Sequence, residues 1–268
     1  MNATHSPVLF LSHGSPMWAI EPGESGPALA RWAHTLPGAP KGIVIMSPHW
    51  MSRGIAVMTN PRPPTWHDFG GFPEALYRLR YPAPGAPALG EQVLALLQKA
   101  GLPAQEDPDR PLDHGAWVPL MHLYPQADVP VVQVSLPVGA GPAEVYAMGR
   151  ALASLRDEGV LVIGSGSMTH NLREFFNGMP EQDAHAERYV SEFARWVEDA
   201  IQRGDREALL DYRARAPHAV RAHPTDEHFL TLFFALGAAG WGEGAVTPEY
   251  LSREIMYRYL AMDAVALN

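Results

Sequence analysis

Short runs of Val, Ile and Leu, spaced among helix-forming stretches, constrain this fold more than any other feature. The first is Pro7-Val8-Leu9-Phe10-Leu11-Ser12 and the second spans Lys41 to Pro48. A third covers Val131 to Leu136, and a fourth is Gly159-Val160-Leu161-Val162-Ile163-Gly164. Runs that are apolar at consecutive positions, rather than at every second one, belong to strands covered on both faces. Between them lie helical patterns: a short one over Gly26–Ala33, Pro87 to Ala100 with Leu89, Val93, Leu96 and Leu97 on one stripe, and Pro142 to Asp157. Phe72–Tyr77 reads as a helix start, and the segment after Asp113 as a helix through Leu123. Alternating strand and helix predicts an α/β fold, a central mostly parallel or mixed sheet flanked by helices. Ala184 to about Tyr212 reads as one or two amphipathic surface helices, and Thr225 as the N-cap of a last helix with apolar body Leu230–Leu236. With no internal repeat and no Gly/Ser linker, residues 1–268 are expected to form a single catalytic domain.

Three of the four runs lead directly or within a few residues to a histidine. His13 follows the first, His49 the second and His170 the fourth. In an open α/β sheet, ligands bind beyond the carboxyl ends of the strands, so three imidazoles are delivered to one rim. His228 opens the last predicted helix, close to His223 in His223-Pro224-x-x-x-His228. Of these two, His228 is the better candidate to face the rim. Neutral imidazole is the commonest protein metal ligand, so the set reads as a mononuclear metal site at one rim of the sheet. His114, preceded by Asp113 in a Gly- and Trp-containing loop, fits a general acid/base held by a carboxylate. Each histidine taken singly also fits a turn or packing role.

Composition narrows the chemistry. The chain has no cysteine, which removes disulfides, thiolate ligands, iron–sulfur clusters and a cysteine nucleophile together. A net charge of -9 with no Lys/Arg-rich run argues against nucleic acid as a partner. No apolar stretch approaches the roughly 20 residues of a membrane span, and Met1–Pro7 carries no signal-peptide pattern, so a cytoplasmic protein is expected. The segment Gly164-Ser165-Gly166-Ser167 lets backbone approach a ligand closely, yet it matches neither a phosphate loop nor a G-x-S-x-G elbow. No H-E-x-x-H motif occurs. The Pro-, Gly- and aromatic-rich stretch 60–71 is expected to be a functional loop, and Trp18, Trp50, Trp66 and Phe69 are candidates both for an aromatic pocket wall and for core packing.

Taken in order, Leu11-Ser12-His13-Gly14-Ser15-Pro16, Ser47-Pro48-His49-Trp50, Asp68-Phe69-Gly70-Gly71-Phe72-Pro73, Leu112-Asp113-His114-Gly115-Ala116-Trp117, Thr169-His170-Asn171 and His223-Pro224-x-x-x-His228 resemble the class III extradiol ring-cleavage dioxygenases, in their DOPA 4,5-dioxygenase branch. Each motif is short, but the ordered set covers nearly the whole chain. The resemblance implies His13 and His49 as metal ligands, His228 completing the shell, and His170 either joining the metal or acting as acid/base. The catalytic proton carriers are then His170 and His114. In the protocatechuate branch the third ligand is a glutamate, and here Glu227 stands beside His228. The implied cofactor is one divalent metal, Fe(II) for dioxygenase activity or Zn(II) as in related proteins. The implied partners are a small, DOPA-like aromatic catechol and O2, with the oligomeric state open. Two rivals remain from the sequence: a zinc-dependent hydrolase using metal-activated water, and a non-catalytic homologue that keeps the metal pocket.

Overall fold

A computed structural model describes residues 5–244 and 246–268. Part of Met1–Pro7, read above as carrying no signal-peptide pattern, lies outside those residues. The strands are β1 (Val8–Ser12), β2 (Gly42–Ser52), β3 (Ile55–Met58), β4 (Ala104–Asp107), β5 (Val131–Pro137), β6 (Val160–Gly166), β7 (Pro248–Ser252), β8 (Ile255–Met256), β9 (Leu260–Ala261) and β10 (Ala264–Leu267). The helices are α1 (Ser25–Thr35), α2 (Glu74–Arg78), α3 (Pro87–Lys99), α4 (His114–Leu123), α5 (Pro142–Ala151), α6 (Leu172–Gly178), α7 (Arg188–Arg203), α8 (Arg206–Leu210), α9 (Tyr212–Arg215), α10 (Ala219–Ala222) and α11 (Glu227–Ala239). Eight strands form one mixed sheet in the order β4-β3-β5-β2-β6-β1-β10-β7, as an α/β fold requires.

The four apolar runs are the four central neighbours β5-β2-β6-β1, and they are parallel to one another. Successive residues pack on opposite faces. Val8 and Phe10 join the apolar cluster on one face, whereas Leu9 and Leu11 join the cluster on the other. Val44 and Met46 divide from Ile43 and Ile45 in the same way, as do Val160 and Val162 from Leu161 and Ile163. Period-two alternation between two buried faces is why the runs carry no polar positions. Because the central strands are parallel, their carboxyl ends share one rim.

Several boundaries differ from the sequence expectation. β2 does not stop at Pro48 but continues to Ser52, because the pairing with β5 jumps from Met46↔Val134 to Met51↔Leu136. Pro48 has no N–H to give a ladder, so it sits in this bulge with His49 and Trp50. The expected helix over Pro142–Asp157 ends at Ala151 and gives way to a 3-10 segment, Ala153–Glu158, closed by Gly159 at φ 84. The N-cap of α11 is Asp226 rather than Thr225, whose hydroxyl is engaged by the Glu227 carboxylate at 3.3 Å. The short strands β3 and β4 and the C-terminal strands β7 to β10 were not anticipated.

Helix α11 lies directly on the sheet. A Cβ built on Gly164 would stand 2.1 Å from the Thr231 carbonyl oxygen, and one on Gly166 would stand 2.0 Å from that of His228. The glycines of the Gly164–Ser167 segment therefore admit a helix backbone, not a ligand as the sequence suggested. The Ser167 N–H then donates to the His228 carbonyl at 3.0 Å, which fixes the first turn of α11 against the end of β6. Among the described residues no helix is long and apolar enough to cross a membrane.

Candidate metal centre

Five histidines converge at the carboxyl rim. His13 leaves the end of β1, His49 the bulge of β2, and His114 the first turn of α4, while His170 follows β6 and His228 sits in the first turn of α11. The Nε2 atoms of His13 and His49 are 3.1 Å apart. The ring of His49 lies 4.0 Å from that of His114 and 5.1 Å from that of His228. His170 stacks on His228 with centroids 3.5 Å apart and planes 14° from parallel. His223 turns away: it is fully buried, its Nε2 meets the Met168 carbonyl at 2.8 Å, and Phe193 and Phe229 pack around its ring.

Hydrogen bonds fix which nitrogen is free in the rings of His13, His114 and His228. Ser165 donates its hydroxyl to the Gly115 carbonyl, so toward His13 its oxygen accepts, at 3.0 Å, from Nδ1–H. That leaves Nε2 of His13 as a bare lone pair. The Asp68 carboxylate accepts from both the backbone N–H and Nδ1–H of His114, each at 2.9 Å. Glu227 accepts from Nδ1–H of His228 at 3.0 Å. Among the described residues no hydrogen bond tethers either ring nitrogen of His170. The sequence paired His114 with the adjacent Asp113. Here Asp113 is instead fully buried behind the site, where it binds Arg110 at 2.6 Å, Ser47 at 2.8 Å and Gln133. The true partner is Asp68, from the loop over 60–71, an acid that the Asp68-Phe69-Gly70-Gly71 motif contained but that spacing alone did not connect to His114.

The electrostatics keep the rings of His13, His49, His170 and His228 neutral. Burial, reinforced by repulsion from His49, His114 and His170, holds His13 well below the usual imidazole range. Burial and then His114 take His49 down to about 3, with Asp68 opposing, and burial followed by His49 and His114 takes His170 to about 3. Burial likewise lowers His228, helped by His170, His49 and His13. Burial works against the ionised form of Asp68, yet the hydrogen bonds from His114 outweigh it and hold that carboxyl below its ordinary value.

This donor set suits a divalent ion. Two imidazole nitrogens each about 2.1 Å from one Zn- or Fe-sized cation stand roughly 3.0–3.4 Å apart, and the two Nε2 atoms here are 3.1 Å apart. The potential donor atoms of His13, His49 and His114 all lie within 4.8 Å of one another, as do those of His170, Glu227 and His228. The structure thus gathers all four residues expected as ligands and brings His114 and Glu227 into the same cluster. Nitrogen and oxygen donors of this kind suit zinc and non-haem iron.

The cluster opens into a cavity of about 480 Å³. Of the aromatics considered from sequence, only Phe69 lines it; Trp18 is buried under α1 with its indole N–H on the Pro22 carbonyl, and Trp50 lies beneath the Arg110 guanidinium at 4.7 Å. Phe175, Phe176 and Met179, from α6 and the residue after it, line the opposite wall and were not anticipated.

Residues 3–262 match the family described as the catalytic LigB subunit of aromatic ring-opening dioxygenase. The sequence is 42% identical over 236 residues to a 4,5-DOPA dioxygenase extradiol of Beta vulgaris, covering 87% of each chain. It is 40% identical over 243 residues to a 4,5-DOPA dioxygenase extradiol of Escherichia coli K12, covering 89% of this chain and 87% of that one. A solved structure of an uncharacterized Escherichia coli K12 protein superposes with a TM-score of 0.77 at 30% identity, over 98% of this chain and all of the other.

Proposed function

The chain belongs to the family of catalytic LigB subunits of aromatic ring-opening dioxygenases and is an extradiol ring-cleaving dioxygenase, and from that premise we propose that it opens a catechol at a divalent ion held by His13, His49 and His228. The observation that supports the ligand assignment is the approach of the His13 and His49 Nε2 atoms to 3.1 Å, a separation that two ligands of one cation share. The third ligand follows from the ordered motif match and from Glu227, whose carboxylate fixes Nδ1–H of His228 as metal-binding histidines require. Iron(II) is the ion proposed for turnover: when bound it relays electrons between catechol and O2, which redox-inert zinc does not.

The protein's own groups supply orientation and proton transfer. His170 lines the cavity, is neutral, and among the described residues has no hydrogen bond on either ring nitrogen, so it is the group that takes a proton from a catechol hydroxyl and returns one later. His114, oriented through Nδ1 by Asp68, turns its Nε2 edge toward the cluster and serves as the second proton carrier. Both atoms of O2 enter the product, the ring carbon–carbon bond beside the two hydroxyls breaks, and a muconic-semialdehyde type compound results. No further reductant is needed. The apolar walls around Phe69 and Phe175 exclude water from the reacting ring.

The test is anaerobic loading with Fe(II), followed by a panel of catechols including DOPA in air. Oxygen uptake equal to the catechol consumed and a yellow product are expected. If the Fe(II) protein consumes no oxygen with any catechol while the Zn(II) protein hydrolyses esters or amides, the reading fails. Hydrolysis by metal-activated water, the rival from the sequence, gains nothing from the relatives. Cytoplasmic placement, a single catalytic domain over residues 1–268 and a DOPA-like substrate ring remain parts of this proposal.

A further inference from the structure

The cavity beside the histidines is walled mainly by hydrocarbon. Beyond the histidine cluster its walls are formed by Phe69, Phe72, Leu172, Phe175, Phe176 and Met179. Among the described residues that line it there is no lysine, no arginine and no carboxylate. Of the two hydroxyl-bearing side chains in the wall, Ser15 accepts from the Met17 N–H at 3.3 Å and Tyr257 donates to Glu21 at 3.1 Å, and neither brings a positive charge. Glu21 is itself an anion, so the polar contact nearest that wall repels a carboxylate.

The buried cation closest to the cluster is also engaged elsewhere. Arg110 is 9% exposed, is paired with Asp113 at 2.6 Å, and has its guanidinium over the Trp50 and Trp66 rings at 4.7 and 5.1 Å. It is not part of the cavity wall. A catechol whose two oxygens meet the histidines must therefore lay its substituent along hydrocarbon. At about 480 Å³ the cavity falls in the range of pockets that enclose ligands larger than one ring. The wall continues outward onto exposed apolar side chains, with Phe176 at 61% and Met179 at 74% exposure. A carboxylate laid along this wall sheds part of its water and gains no charged partner.

We propose that the physiological substrates are catechols bearing a neutral hydrocarbon substituent, alkyl or aryl, and that the Phe175–Met179 wall selects against a substituent that carries a carboxylate. This rests on the catechol reading above. It departs from the amino-acid substrate named for the relatives only in the tail, not in the ring.

The decisive comparison is 4-propylcatechol against 3-(3,4-dihydroxyphenyl)propanoate, which have the same ring and a tail of the same length and differ in the charge at its end. With Fe(II)-loaded protein at pH 7.5, kcat/KM from oxygen uptake is expected to favour 4-propylcatechol by at least tenfold. Equal rates, or a preference for the acid, would overturn the proposal. Equilibrium binding of the same two compounds to Zn(II)-loaded protein, read by tryptophan fluorescence, should show the same order. That measurement decides the substituent question even if no catechol is turned over, a result that would sink the dioxygenase reading alone. Phe176→Arg, at an exposed position where folding tolerates the change, should shift the acid-to-alkyl ratio toward the acid at least fivefold. An unmoved ratio would show that the substituent does not meet this wall.

Discussion

Gly115 is the position where one methyl group would separate a working site from a damaged one. It is the second residue of α4, and a Cβ built there stands 2.3 Å from Ser47 Oγ, 2.9 Å from His49 Cδ2 and 3.1 Å from His13 Cε1. Ordinary contact begins at 3.4 Å, so Gly115→Ala demands about 1 Å of movement between α4 and the ends of β1 and β2. Ser47 has little freedom to yield, because its hydroxyl donates to Asp113 at 2.8 Å and accepts from the His49 N–H at 3.2 Å. The movement thus falls on the His13 and His49 rings. Overpacking of this size costs roughly 1–3 kcal/mol of stability. A misplacement of about 1 Å in a reacting constellation costs on the order of 10²-fold in rate, and disturbed ligand support costs about 10–100-fold in metal affinity. Chelator competition measures the affinity, oxygen uptake with excess Fe(II) the rate, and urea unfolding the stability. Gly42→Ala is the control: its Cβ meets the end of the Leu89 side chain at 2.8 Å, far from the rim, so it should lose stability slightly and keep metal affinity. A Gly115→Ala protein that binds metal within twofold of the parent and turns over at its rate would refute the packing argument.

Other predictions separate the roles within the cluster. His13→Ala, His49→Ala and His228→Ala should each lose bound metal by elemental analysis, whereas His114→Ala should retain it and lose rate; metal loss in the last would make His114 the third ligand. Asp68→Asn removes a carboxylate that accepts two bonds from His114, each of the charge-assisted kind worth about 1.5–3 kcal/mol. A rate loss of roughly 10–100-fold with metal retained is expected, and an unchanged rate would remove Asp68 from the proton-carrying pair. Asp263 is buried, and burial followed by repulsion from Glu198 raises its carboxyl to about 7, with Arg253 opposing. Between its ordinary value of 3.8 and about 7 the folded chain holds a proton there that the unfolded chain has released, so this residue makes stability fall as pH rises through that window. The difference in urea midpoint between pH 5 and pH 8 should accordingly shrink in Asp263→Asn, and an unchanged difference would show that Asp263 does not titrate in this way.

The four central strands and the rim they share were legible because burial on both faces leaves an unbroken apolar run. The edge of the sheet was not: β4 reads Ala-Gln-Glu-Asp, a polar segment that pairs on one side only and so carries no apolar signature. β2 was cut short at Pro48 because a bulge that tolerates proline looks, in one dimension, like an end. The histidines could be gathered by their places after strands and by the ordered motifs. Their supporting groups could not, since Asp68 is 46 residues from His114 and Ser165 is 152 from His13, and only the folded chain brings them together. Asp113 misled by adjacency: next to His114 in sequence, it points behind the sheet to neutralise Arg110. The aromatic wall on α6 was missed because Phe175 and Phe176 sit in a short segment with no stripe to suggest a face.

The two sides of the cavity differ in how they are attached to the rest of the molecule. α11, which carries His228, is buried along nearly its whole length and touches β6 through glycines with no side chain between backbones. α6, across the cavity, has no buried residue at all. Local opening free energies follow such attachment, so amide hydrogen exchange is expected to be faster in α6 than in α11.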